Sequence, residues 1–193
     1  MKRIAFSLIA FFAFALAINA QTIEPGATME NFSLAGLDGK NQTLNDLKGT
    51  KGSVVIFLSA QCPVVKGYDV RINEIAADYA AKGISFIGIN ANATESLERV
   101  TSDAAKVGYK FPVLIDKGNK LADKLGAAVT PEVYYLDANN TLLYHGAIDN
   151  DRSGKAITDQ YLRTAFDASL AGKKVERTKA NAFGCTIKRA KAE

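Results

Sequence analysis

The sequence predicts an α/β fold: a central mixed β-sheet flanked by helices, with a short N-terminal hairpin and a C-terminal extension. Three observations predict it. Ser53–Ser59 and Ile84–Asn90 are continuous apolar runs rich in β-branched residues, as strands covered on both faces require. Between them Val65, Tyr68, Ile72, Ile75 and Tyr79 step by three and four, which places them on one helix face. Further on, Glu132–Leu136 and Thr141–His145 flank Ala138-Asn139-Asn140, the pattern of a strand hairpin.

Residues 1–20 carry Lys2 and Arg3, an apolar run of 15 residues from Ile4 to Ile18, and a small residue at Ala20. This is the layout of a secretory signal peptide, and a membrane span needs roughly 20 apolar residues. Cleavage is expected after Ala20, with Ala17 as the second choice, giving an exported protein, periplasmic or secreted. Residues 21–172 then form one domain and 173–193 a basic extension. In the domain, Asp38-Gly39 marks a tight hairpin turn. Pro63 suits the first turn of a helix that Gly83 ends. Thr94 caps a helix with Leu97, Val100, Ala104 and Val107 on its apolar face. Phe111–Ile115 is a third strand, Lys120–Leu125 a short helix before Gly126, and about Thr158 to Ala171 a last amphipathic helix. Because strands and helices alternate before the hairpin, the sheet is mixed.

Composition excludes several classes. The 193 residues hold two cysteines, too few for a disulfide-rich scaffold or a four-thiolate zinc site. A single histidine excludes a multi-histidine metal centre, and a net charge of +4 is too slight to indicate nucleic acid. The extension carries seven Lys or Arg against two acids, a net of +5, while residues 21–172 stand at −3. Either the extension is a solvated tail, or its charges help hold Cys185 near the acidic body.

Cys62 lies where a buried strand hands over to a helix. Unpaired N–H groups and the helix dipole there favour an anion, and such placement lowers thiols from about 8.5 to roughly 3.5–7.5. Lys66, one turn on, is a second source of positive charge. The alternative is an inert buried cysteine.

Strand–Cys62-Pro63–helix, followed by Thr130-Pro131 before a hairpin, resembles the thioredoxin fold. More narrowly, five stretches are similar to exported redoxin-domain proteins of the alkyl hydroperoxide reductase/thiol-specific antioxidant type. They are Cys62-Pro63-Val64-Val65-Lys66, Phe111-Pro112-Val113-Leu114, Val129-Thr130-Pro131-Glu132, His145-Gly146-Ala147-Ile148-Asp149 and Gly184-Cys185-Thr186-Ile187-Lys188. The resemblance implies a cis Pro131 beside Cys62. It also implies thiol chemistry on a disulfide or peroxide, re-reduction by an outside thiol donor, and no organic cofactor or metal. The chain departs from the pattern at three places. Ser59 stands where many relatives have a cysteine, Val55 where peroxiredoxins have proline, and Arg152 is the best counterpart of their active-site arginine.

Cys185 has three readings: a resolving thiol for Cys62, a static structural disulfide with it, or a cysteine that never meets it. A bridge closing so long a loop stabilises by roughly 5 kcal/mol in the chain-entropy model. A copper-handling reading would use Cys62, Cys185 and His145, against an edge-strand surface role for His145. Asp149-Asn150-Asp151-Arg152 is either a helix-capping turn or part of the site rim.

Overall fold

The computed structural model describes residues 22–191, so the signal-peptide expectation lies outside the described residues. Seven strands form one mixed sheet in the order β2-β1-β5-β4-β3-β7-β8. The centre is parallel: β3 (Gly52–Leu58) pairs with β4 (Ile84–Asn90), and β4 with β5 (Val113–Ile115). Antiparallel pairs finish both sides, β1 (Ser33–Gly36) with β2 (Asn41–Thr43) at one, β7 (Glu132–Asp137) with β8 (Leu142–Gly146) at the other.

The apolar run of β3 is buried throughout because its two faces feed two cores. Val54, Ile56 and Leu58 pack with Val65, Tyr68, Ile72, Ile75 and Tyr79 of α2 (Pro63–Ala80) and with Leu162 and Phe166 of α5 (Tyr161–Leu170). Val55 and Phe57 face the other way, onto Ile87, Ile89, Leu114, Tyr134 and the short α4 (Lys120–Leu125). A one-turn helix, α1 (Leu44–Leu47), closes that second face with Leu44.

Two helix starts differ from the sequence expectation. α3 (Leu97–Val107) is capped by Ser96, whose Oγ accepts from Arg99 N at 3.2 Å, not by Thr94. The chain at Glu95 turns back onto the strand–helix junction, so the helix begins only after it, and Leu97 is 50% exposed rather than on the apolar face. α5 begins at Tyr161, not Thr158, because Asn150 Oδ1 takes the N–H groups of Thr158 and Asp159 at 3.0 and 3.1 Å.

The basic extension is no solvated tail. It runs as a strap across the molecule, burying Val175 in the first core and Ile187 in the second. Its strand β9 (Cys185–Thr186) pairs antiparallel with β6 (Val129–Thr130), and a bridge joins Lys179 to His145. Two glycines permit the close approach. A Cβ on Gly184 would collide with the Thr130 carbonyl oxygen. One on Gly146, at φ +137°, would collide with that of Ala180.

Candidate functional site

Cys62 is the N-cap residue of α2 and Pro63 its first helical residue, so the missing proline N–H costs no hydrogen bond. The cysteine is 1% exposed. Its Sγ is bonded to Cys185 across 123 residues, with the two Cα atoms 5.8 Å apart. Of the three readings of Cys185, the one in which the cysteines never meet is therefore removed.

Thr130 and Pro131 form the other wall. The Thr130–Pro131 peptide is cis, as the resemblance implied. The Thr130 carbonyl oxygen lies 3.3 Å from Cys62 Sγ, placed to accept a hydrogen bond from the reduced thiol, and Thr130 Oγ1 is 3.5 Å from the Cys185 carbonyl. Both cysteines thus touch the same residue.

Ser59 serves the loop rather than the sulfur. Its Oγ donates to Glu95 Oε1 at 2.5 Å, and the same carboxylate accepts Ala60 N at 3.0 Å, Gln61 N at 3.1 Å and Asn90 Nδ2 at 2.6 Å. Lys66 is engaged by acids: its ammonium pairs with Asp103 and lies 3.6 Å from Asp69. Arg152 is exposed, and it is its carbonyl that takes part, accepting from Arg71 Nη2 at 2.9 Å. The polar loop is an anchor. Asp149 accepts Tyr68 Oη at 2.7 Å and Arg71 Nη1 at 2.5 Å. Asp151 takes Ala156 N and the Ser153 side chain, bonds that hold its carboxyl down to about 2.

His145 is half-buried rather than on the surface, and its ring is engaged by its own neighbours. It stacks on Tyr134 at 4.2 Å, and its Nε2 lies 2.6 Å from Glu132 Oε1. The sulfurs of the copper reading are bonded to each other. Among the described residues no group of three or more His, Cys, Asp or Glu is placed to hold a metal. Burial pushes the Glu132 carboxyl up. The His145 ring and the N–H groups of Ala128 and Val129 outweigh it and hold it below the usual glutamate range.

Residues 24–162 match the Redoxin family. The chain belongs to that family. The matched segment contains Cys62 and Pro131, whereas Cys185 lies beyond it. The chain is 30% identical over 123 residues to the thiol-disulfide oxidoreductase ResA of Bacillus thuringiensis (strain Al Hakam), covering 64% of this redoxin and 69% of the relative. Among solved structures, an uncharacterized conserved protein of Geobacillus kaustophilus superposes with a TM-score of 0.82 at 32% identity, over 88% of this chain and 94% of that one. A hypothetical protein of Sinorhizobium meliloti 1021 does so with 0.81 at 35%, over 89% and 98%. At 21% identity and a TM-score of 0.65, a putative thiol:disulfide interchange protein DsbE of Chlorobium tepidum shares the thioredoxin-like fold, over 77% of this chain and 99% of that one.

Four positions that hold the site or the strap were not visible as such in the redoxin's sequence. Glu95 reaches Ser59 across 36 residues, and no local pattern marks it. Asn92 and Asn119 hold the strap, through Asn92 Oδ1 to Lys188 N at 2.9 Å and Asn119 Oδ1 to Ala190 N at 2.7 Å. Glu132 stood next to Pro131 in plain view, yet its partner His145 reads only as a hairpin residue.

Proposed function

We propose that this redoxin is an exported thiol-disulfide oxidoreductase whose Cys62 and Cys185 cycle between disulfide and dithiol. The observation that carries the reading is the bond from a helix N-cap cysteine to a cysteine on the strap. A helix N-terminus favours the thiolate, the form that attacks and leaves in exchange. Similarity to the Bacillus thiol-disulfide oxidoreductase ResA supports the same chemistry. Substrates are protein disulfides or thiols, an outside thiol donor returns the pair to its reduced form, and no metal, organic cofactor or nucleic acid enters. Ser59 and Pro63 shape the loop, and Thr130-Pro131 shields the Cys62 sulfur. Export rests on the layout of residues 1–20. No described helix is long and apolar enough to cross a membrane.

Thiol counting by mass spectrometry after mild reductant, and again after disulfide or peroxide, tests it on wild type, Cys62→Ser and Cys185→Ser. Two thiols should appear and disappear reversibly in the wild type. Loss of both thiols to peroxide at a rate exceeding that to disulfide would instead make it a peroxidase. The anchoring of the strap on both sides of Cys185 favours one rival, a permanent structural bridge. A reduction potential below about −300 mV decides for that rival.

A further inference from the structure

We propose that Cys185, rather than Cys62, is the sulfur that meets the outside thiol or disulfide, with Cys62 as the buried partner that leaves and returns. This rests on the redox reading above and reverses the order of attack implied by the resemblance. Exchange requires a thiolate to attack one sulfur of the bond while the other departs, so the attacked sulfur must be reachable. Cys62 is not. It is 1% exposed, packed in the first core, with its Sγ against the Thr130 carbonyl. Cys185 is half-buried on β9, between exposed Gly184 and Thr186.

Reduction does not uncover Cys62, because the strap is held by contacts that need no sulfur. On the C-terminal side Ile187 is buried and its N–H bonds Ala128 O at 2.9 Å. Lys188 O accepts Ala93 N at 2.9 Å, and Arg189 Nη2 bonds Ala127 O at 2.6 Å. On the N-terminal side Phe183 packs against Tyr68, and Ala180 N bonds His145 O at 3.1 Å. The strap also fills the edge of Thr130: Gly184 sits against its carbonyl so closely that no side chain fits. An outside group approaching along that edge meets the chain's own β9 and, in it, Cys185.

The exchange then balances as follows. An outside thiolate attacks Sγ of Cys185, the Cys62–Cys185 bond breaks, and its electron pair leaves on Cys62, where the α2 N-terminus favours the anion. A second outside thiolate attacks the outer sulfur of the mixed disulfide and releases Cys185, which takes a proton from water. Two outside thiols become one disulfide while the protein pair becomes two thiols. In the other direction the Cys185 thiolate opens an outside disulfide, and the Cys62 thiolate then attacks Cys185 and expels the remaining thiol.

The test is competitive alkylation of the full-length wild type, reduced with dithiothreitol and freed of it, by limiting iodoacetamide at neutral pH. Digestion and mass spectrometry give the label at each cysteine. We expect Cys185 to react at least about tenfold faster, and the two to become similar in guanidinium, where burial no longer protects Cys62. Equal rates in the native protein, or faster labelling of Cys62, overturn the proposal. Brief reaction of the oxidised protein with glutathione should place the mixed disulfide on Cys185; glutathione found on Cys62 overturns it equally. Should the bond resist glutathione altogether, the redox reading fails, while the alkylation order still decides which sulfur faces outward.

Discussion

The Glu95 carboxylate gathers a hydroxyl, two backbone N–H groups and an amide from β4 and the Ser59–Gln61 loop, so one side chain fixes the turn that delivers Cys62 to the helix. Charge-assisted bonds of this kind are the stronger class, and removing the charge from a half-buried site costs about 1–2 kcal/mol. Glu95→Gln should lower the melting temperature by about 2–8 °C in a chain of this size. An unchanged melting temperature would mean that the loop holds itself. Glu132 makes a pH-dependent contribution. Its carboxyl is held low in the native state, so the stability it adds is present above the ordinary value of 4.5 and is lost as pH falls through the lower native value. Melting curves of wild type and Glu132→Gln should therefore converge below pH 4.5 and separate above it. A gap independent of pH would remove the His145–Glu132 pair as its source. At this scale the sequence revealed what is local. Cys62-Pro63 announces itself because strand, cysteine, proline and helix are contiguous. Glu95 and the Glu132–His145 contact stayed hidden because their partners are distant in the chain and close only after folding.

Strands and helices with strong periodicity were legible almost to the residue, since β4 and α4 span the residues expected from their patterns. The errors fell at ends where side chains outside the element decide the boundary, as Asn150 does for α5 and Glu95 for α3. The strap was illegible for a related reason. It has two residues of strand and no repeat, so neither a period of two nor one of 3.6 residues reveals that it docks. Its hold comes from single anchors. Ile187 is 3% exposed in the second core, and truncating such a residue costs about 2–5 kcal/mol. Ile187→Ala should lower the melting temperature by about 4 °C or more and speed alkylation of Cys62 in the reduced protein. Val70→Ala, at a residue 70% exposed on α2, is the control and should shift stability by less than about 0.5 kcal/mol. Equal effects of the two would show that the strap is not held through Ile187.

Over the whole molecule the charge of the body, −3, and that of the extension, +5, invite an electrostatic account of docking. The contacts argue otherwise. Among the described residues the strap makes two ion pairs with the body, Lys179 with Glu24 and Arg189 Nε with Asp123 Oδ1 at 2.8 Å, and their side chains are 37–59% exposed. Pairs so exposed contribute about 0–1 kcal/mol and fade as salt rises. Buried Val175 and Ile187, backbone bonds to Ala128, Ala93 and His145, and the Cys62–Cys185 bond involve no net charge. The strap should therefore stay docked in salt. Alkylation of Cys62 in the reduced protein reports its opening, and its rate should change by less than about twofold between about 0.05 and 0.5 M sodium chloride, where screening lengths fall from above 10 Å to a few ångström. A tenfold rise would mean that charge does hold the strap, and that a basic extension on an acidic body is itself the latch over Cys62.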